Sequence, residues 1–149
     1  MASAAEMLRR LKSVSRITTL REMVYDDIKA NEHILRDLKE TEYEQGNIRS
    51  NGTLSTYASK TYAKRKKLDN PRANGFVDLI DTHAFIDSFK LNKPKANRYT
   101  FGATDSKRNK LVKTYGDIMG LEQETFNEFQ LTIIAPLFRK KLKDIINKK

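Results

Sequence analysis

Cysteine and tryptophan are absent from these 149 residues, and there are only two histidines, three prolines and six glycines. Without cysteine the chain has no disulfide, no thiolate nucleophile and no thiolate metal ligand, so thiol redox chemistry is excluded and a reducing cytosol suits it. A zinc site would have to combine His33 and His83 with carboxylates, and neither histidine lies in a ligand spacing. His83, flanked by Asp81 and Asp87, has the neighbours of an acid-base group. It reads instead as a locally hydrogen-bonded residue of a capped turn, because no nucleophile, metal set or second base stands at a meaningful spacing. Nor is there a glycine-rich phosphate loop, since Gly116 and Gly120 are separated by acidic and apolar residues and no Lys-Ser or Lys-Thr follows. The expectation is a protein that is not an enzyme and holds no cofactor and no metal.

Long apolar runs are missing as well. Leu131 to Phe138 falls far short of the ~20 residues a membrane helix needs, and Glu6, Arg9, Arg10 and Lys12 interrupt what would be a signal-peptide core. No membrane contact and a cytoplasmic location are expected.

Positive charge is what the chain has in excess, with 29 lysines and arginines against 19 acidic residues and a formal charge of +10. Such a balance favours nucleic acid or an acidic protein surface as partner, and equally keeps a soluble domain apart from its neighbours. The excess lies in two blocks, Lys64-Arg65-Lys66-Lys67 and Arg139-Lys140-Lys141-Leu142-Lys143 with Lys148 and Lys149. Both fall toward the ends of expected helices, where cations are stabilised by unpaired carbonyls, so helix-end stabilisation stands beside phosphate binding as an explanation. These eight residues, Lys64 to Lys67 with Arg139, Lys140, Lys141 and Lys143, are the candidate interaction set.

The length fits a single domain with a real core. Ser3-Ala-Ala-Glu6 is a capping box ahead of Met7, Leu8, Leu11 and Val14 at helical spacing. Thr19-Leu-Arg-Glu22 repeats the box, and Ile17, Leu20, Val24, Ile28, Leu35 and Leu38 trace one apolar stripe through about six turns. The opposite face, Arg21, Asp26, Lys29, Glu32, Arg36 and Lys39, has the mixed signs of a solvated surface. The stripe ends near Tyr43, in a polar loop through Gly52. Leu54, Tyr57, Ala58, Thr61 and Tyr62 resume helical spacing, with Ser55 as a cap, and lead into the first basic block. Asp69 to Gly75 stops that helix, because Pro71 lacks a donor and restricts the residue before it.

Leu79 to Phe89 is the segment around which the rest is organised. Asp81 and Thr82 are good N-cap types for a short helix that sets Phe85 and Phe89 four residues apart. A hairpin follows, out through Lys90 and Leu91, round Asn92 to Asn97 and back through Arg98 to Phe101. Thr104-Asp105 caps a helix from Lys107 to Tyr115 with Leu111, Val112 and Tyr115 inward, Gly116 closes it, and Ile118 and Met119 plug the core. The last helix, Glu122 to Asn147, carries Phe126, Phe129, Ile133, Leu137, Leu142 and Ile145 on one stripe, with a kink or break expected at Thr132 to Ala135 because of Pro136. The expected fold is α+β, with long N- and C-terminal amphipathic helices packed around a small antiparallel hairpin. Its parts are helices over 1–44, the central helix, turn and hairpin over 53–121, and a kinked helix over 122–149.

Gly52-Thr-Leu-Ser-Thr-Tyr-Ala58, Thr61-Tyr-Ala-Lys64 and, after a variable loop, Leu79-Ile-Asp-Thr-His-Ala-Phe-Ile-Asp-Ser-Phe89 resemble the virion morphogenesis and tail-completion proteins of tailed bacteriophages. In that family a Leu-Ser and Thr-Lys helix precedes an Asp-Thr-Gly-x-Leu-x-x-Ser segment and a hairpin. Here His83 stands for the usual glycine and Phe85 for the usual leucine, while Asp81, Thr82 and Ser88 keep the pattern and Phe89 follows it. The resemblance extends through Phe101-Gly-Ala-Thr-Asp105, Tyr115-Gly116 and Gly120-Leu121 to about Leu137. It implies a structural subunit of the virion that forms a ring at the head-tail junction, is homo-oligomeric in the particle, and contacts the portal or adjacent neck and tail rings. Non-specific contact with DNA belongs to the same picture. The alternative from composition is a basic nucleic-acid-binding accessory protein of phage or host.

Overall fold

The computed structural model describes residues 2–14, 17–80, 83–95 and 99–147. It is an α+β chain: helices α1 (Ala4–Val14), α2 (Ile17–Ala30), α3 (Glu32–Glu44), α4 (Lys60–Asp69), α5 (Ala84–Asp87), α6 (Arg108–Tyr115), α7 (Gln123–Phe129) and α8 (Ala135–Asn147), with a two-stranded antiparallel sheet of β1 (Phe89–Leu91) and β2 (Phe101–Ala103). The sequence reads as one domain. Contacts gather the chain into two compact units, one formed by residues 1–31 with 127–149 and the other by 32–126.

In the first unit α1 and α2 pack against α8, and α2 also meets the turn that precedes α8. The Ser3 hydroxyl accepts the Glu6 N–H at 3.3 Å, as a capping residue should. Thr19, by contrast, does not open a helix, because α2 already begins at Ile17 and carries Thr19 inside its first turn. The six-turn stripe is also broken: the helix stops at Ala30, and the Asn31 N–H is shared between the carbonyls of Asp27 at 3.2 Å and Ile28 at 3.1 Å before α3 starts at Glu32. A side chain that hydrogen-bonds the preceding turn, as the Asn31 amide does with the Asp27 carbonyl at 2.8 Å, competes with helix continuation.

Pro136 acts as expected on the last helix, but through a wide turn instead of a kink. Gln130–Ile134 is π-helical, and the Ala135 N–H reaches back five residues to the Gln130 carbonyl. Proline has no N–H for the carbonyl four residues back and crowds it, and a widened turn relieves that crowding. The extra residue advances the phase of the apolar stripe by one position. After Phe129 the buried side chain is Ile134, not Ile133, and Leu137 turns outward while Phe138 is half-buried. Among the described residues, Ile28, Phe129 and Ile134 are the buried apolar side chains of this unit, and Lys141 forms an ion pair with the buried carboxylate of Asp27 between α8 and α2.

The second unit is built on Tyr43, fully buried near the end of α3. Its hydroxyl donates to the Ile118 carbonyl at 2.8 Å, and its ring meets Phe89 edge-on at 6.3 Å between centroids. Ile118 and Met119 do plug this core, and the Phe101 N–H donates to the Met119 carbonyl at 2.8 Å. The hairpin pairs Phe89 with Ala103, Lys90 with Gly102 and Leu91 with Phe101. Its second strand therefore begins at Phe101, where the sequence pattern places its end. After α3 the chain turns through Gly46, whose φ of 77° strains any side chain and where a Cβ would sit tightly, 3.1 Å from Phe76 Cβ and 3.2 Å from the Ala73 carbonyl oxygen. Gly116, at φ 80°, closes α6 as expected.

Leu54 to Ala58 is not helical. Thr56 bridges Phe76 in an isolated antiparallel pair, the Val77 N–H donates to the Ser55 carbonyl at 2.8 Å, and the cap of α4 is Ser59, whose hydroxyl accepts from the Tyr62 N–H at 3.2 Å. Five residues hold too little periodicity to separate strand from helix, and here a backbone partner across the turn decides it.

Asp81 and Thr82 lie outside the described residues. The N-cap position of α5 belongs to His83, in the left-handed region at φ 62°, with its ring Nδ1 2.5 Å from Glu40 Oε1. Left-handed backbone costs a non-glycine residue roughly 1–2 kcal/mol, so His83 is held in a geometry that glycine adopts more readily. His83→Gly relieves that cost while losing the Glu40 contact, and its stability in urea should lie within about 1 kcal/mol of the parent. His83→Val, β-branched at positive φ, should lose about 2 kcal/mol. Equal stability of the two variants would remove the positive φ from the account.

Candidate functional site

α4 carries the first basic block, and it is attached to the rest of its unit by an edge-on contact of Tyr62 with Tyr57, 4.9 Å between centroids, and by a polar cluster. No residue of the helix is buried, and Leu68 is 82% exposed. The helix ends where the Asn70 N–H donates to the Lys66 carbonyl at 2.8 Å and Pro71 opens a 3₁₀ turn, Pro71–Ala73. The polar cluster centres on Asp78, 1% exposed. One oxygen of that carboxylate accepts from the Ile80 N–H at 3.1 Å and the Tyr57 hydroxyl at 3.2 Å, and lies 3.1 Å from Lys66 Nζ. The other accepts from the Asn70 side-chain amide at 3.0 Å, and the same amide donates to the Glu44 carbonyl at 2.8 Å. Lys66 completes its own shell on the Ile80 carbonyl at 2.6 Å. Burial, opposed by the Asp78 backbone N–H but reinforced by the Asp78 charge and by donation to its carboxylate, holds the Tyr57 hydroxyl well above the usual tyrosine range, so it stays a donor.

The four cations of the block therefore divide by role. Lys66 is the counter-ion of a buried carboxylate, and Arg65 leans toward Asp69 at 3.9 Å on the exposed side. Lys64 and Lys67 are exposed and have no carboxylate within ion-pair distance among the described residues. The second block divides likewise. Lys141 is committed to Asp27, whereas Arg139, Lys140 and Lys143 stand in solvent on α8.

The turn motif is brought together around Ser88. Its hydroxyl donates to the Phe85 carbonyl at 2.7 Å and accepts from the Asp105 N–H at 3.3 Å, so it ties α5 to the turn ahead of α6. Asp105 in turn accepts the Lys107 N–H at 2.7 Å. Phe85 and Phe89 are both buried and meet edge-on at 5.0 Å.

The sequence pattern missed one charged cluster. Lys39, read as part of a solvated face, is fully buried. It donates to Glu42 Oε2 at 3.0 Å and to the Ile48 carbonyl at 3.2 Å, and stands 5.0 Å from the Tyr43 ring centroid. Lys39 recurs four residues after Leu35 and four before Tyr43, the spacing of the buried face, and that periodicity was the available signal. Burial lowers its pKa, with Glu42 opposing the shift.

Among the described residues no three His, Asp or Glu side chains group as a metal site, and no helix is long and apolar enough to cross a membrane. Comparison with protein-family models, with curated proteins and with solved structures finds no match for this chain.

Proposed function

We propose that the chain is a structural subunit of a tailed-phage virion, without catalysis, present as copies of a ring at the head-tail junction and in contact with the portal or adjacent neck and tail rings. The observation that carries this reading is that each compact unit exposes its own set of large apolar side chains. Leu8, Leu11, Leu131 and Leu137 belong to the first, and Leu54, Tyr62 and Leu68 to the second. A ring closes by heterologous contacts between two different surfaces, and two unlike apolar sets supply that chemistry. The Gly52 to Leu137 resemblance points the same way. The exposed cations Lys64, Lys67, Arg139, Lys140 and Lys143 then serve assembly or sequence-independent contact with DNA phosphates, which weakens with salt.

Mass spectrometry of purified particles, or a particle reconstruction, tests the assignment: the chain should be found in the virion, at the neck. A monomeric mass in isolation is compatible with it, because a ring can require the preceding ring as template. Absence from the particle together with tight binding to one DNA sequence would transfer the chain to the nucleic-acid-binding class.

A further inference from the structure

Beside α4 runs a groove lined by Thr56, Ala58, Lys60, Lys64, Lys67 and Phe76, with Ala63 on the helix side. Its two walls are the helix and the short antiparallel bridge between Thr56 and Phe76. Lys60, Lys64 and Lys67 follow the i, i+4, i+7 spacing of one helix face, and all three are exposed with no carboxylate at ion-pair distance among the described residues. Phe76 and Ala63, both half-buried, put apolar surface between the two walls.

We propose that this groove is a docking site for an extended acidic peptide segment of a partner protein, one in which acidic and apolar side chains alternate. Charge complementarity selects the acid. Lys60 is the first residue of α4, where a cation opposes the helix dipole by about 0.3–1 kcal/mol, so helix stability does not account for it there. Spacing selects the extended form. Lys60 and Lys64 are separated by about 6 Å of helix rise, close to the roughly 6.6 Å between alternate residues of a strand, so two alternate acids match that pair of lysines. The intervening side chains of such a segment point the other way, toward Phe76 on the opposite wall. A phosphate backbone would satisfy the lysines but leave that apolar surface against solvated groups, and it is the combination that favours a peptide. The site holds whether or not the chain is a virion subunit.

The test uses the full chain and a fluorescein-labelled octapeptide alternating glutamate with leucine, read by fluorescence anisotropy. Its companions are the same peptide with serine for leucine, the same with glutamine for glutamate, and a labelled DNA duplex. Binding of the first peptide should weaken about tenfold in the Lys60→Glu/Lys64→Glu/Lys67→Glu variant, the sum of several exposed charge pairs. The matched reversal Arg108→Glu/Lys110→Glu/Lys113→Glu on α6 should leave it within about twofold, a change of roughly 0.4 kcal/mol. The serine and glutamine peptides should each bind more weakly than the parent peptide. Circular dichroism melting confirms that both variants fold, as expected for exposed positions. Three results overturn the proposal: no binding of the first peptide, equal loss in the two variants, or serine and leucine peptides binding alike. DNA binding more tightly than the peptide, and lost in the α4 variant, would reassign the groove to phosphate.

Discussion

Phe89→Ala is expected to destabilise the second compact unit by roughly 3–5 kcal/mol, the cost of leaving a phenylalanine-sized void in a core that relaxes only in part. Phe89 is 4% exposed and is the point where three aromatic contacts converge: Phe85 at 5.0 Å, Phe101 at 5.3 Å and Tyr43 at 6.3 Å between ring centroids. Those rings come from α5, β2 and α3, so one truncation loosens the short helix, the hairpin and the long helix together. Edge-on pairs add about 0.5–1.5 kcal/mol each beyond area burial, which places Phe89 toward the upper part of the range. Urea denaturation checks the value. A loss under about 1 kcal/mol would mean the Leu79 to Phe89 segment is not central to this unit. The same change should leave the first unit's core of Ile28, Phe129 and Ile134 intact, and helical signal surviving the first transition is the expected sign of that.

The features that could be read from sequence share one property: they depend on residues within a few positions of each other. The Ser3 cap, the polar loop after α3 and the Gly116 stop are all local chemistry, and the structure has each of them, while Asp105 accepts the Lys107 N–H in the turn ahead of α6, whose own N-cap position, Lys107, carries no side-chain cap. Phe85 and Phe89 belong here too, since turn signals and bulk together marked them for the core. The misreadings are places where a distant partner decided. Leu54 to Ala58 became extended because Phe76 lies across from Thr56. The stripe of the last helix slipped by one residue because a proline was accommodated by a π turn, a choice that packing against α2 can bias and a helical wheel cannot show. The candidate cations illustrate the same limit. Charge runs identify where lysines are, yet whether Lys66 and Lys141 are available depends on Asp78 and Asp27, twelve and more residues away in the chain.

Lys39 is the sharpest case, and it yields the last prediction. Glu42→Ala should cost about 3–5 kcal/mol at neutral pH, as measured by urea denaturation, because removing one member of a buried ion pair strands the other. The pair is closed off on every side. Lys39 is 0% and Glu42 5% exposed, Glu42 Oε1 also accepts the Glu122 N–H at 3.1 Å, and Lys39 lies over the Tyr43 ring and donates to the Ile48 carbonyl. The pH dependence has a definite sign. Burial already lowers the Lys39 pKa below the ordinary lysine value, and Glu42 is the first of the charges acting against that shift, so its loss lowers the pKa further. Between the folded pKa and the unfolded value near ~10.4 the unfolded chain binds more protons than the native one, and stability then rises with pH. The deficit of Glu42→Ala should therefore shrink as the pH rises toward the unfolded lysine value, with a steeper slope than in the parent protein. Glu42→Gln, which can still accept the Glu122 N–H, should fall between the two. Lys39→Met/Glu42→Gln, which buries no charge, should be more stable at neutral pH than Glu42→Ala alone, a non-additive outcome expected of directly coupled side chains. A flat pH profile with a loss under about 1 kcal/mol would show that water reaches Lys39 and that the α3 core is held by its apolar members, Leu35, Tyr43 and Ile48.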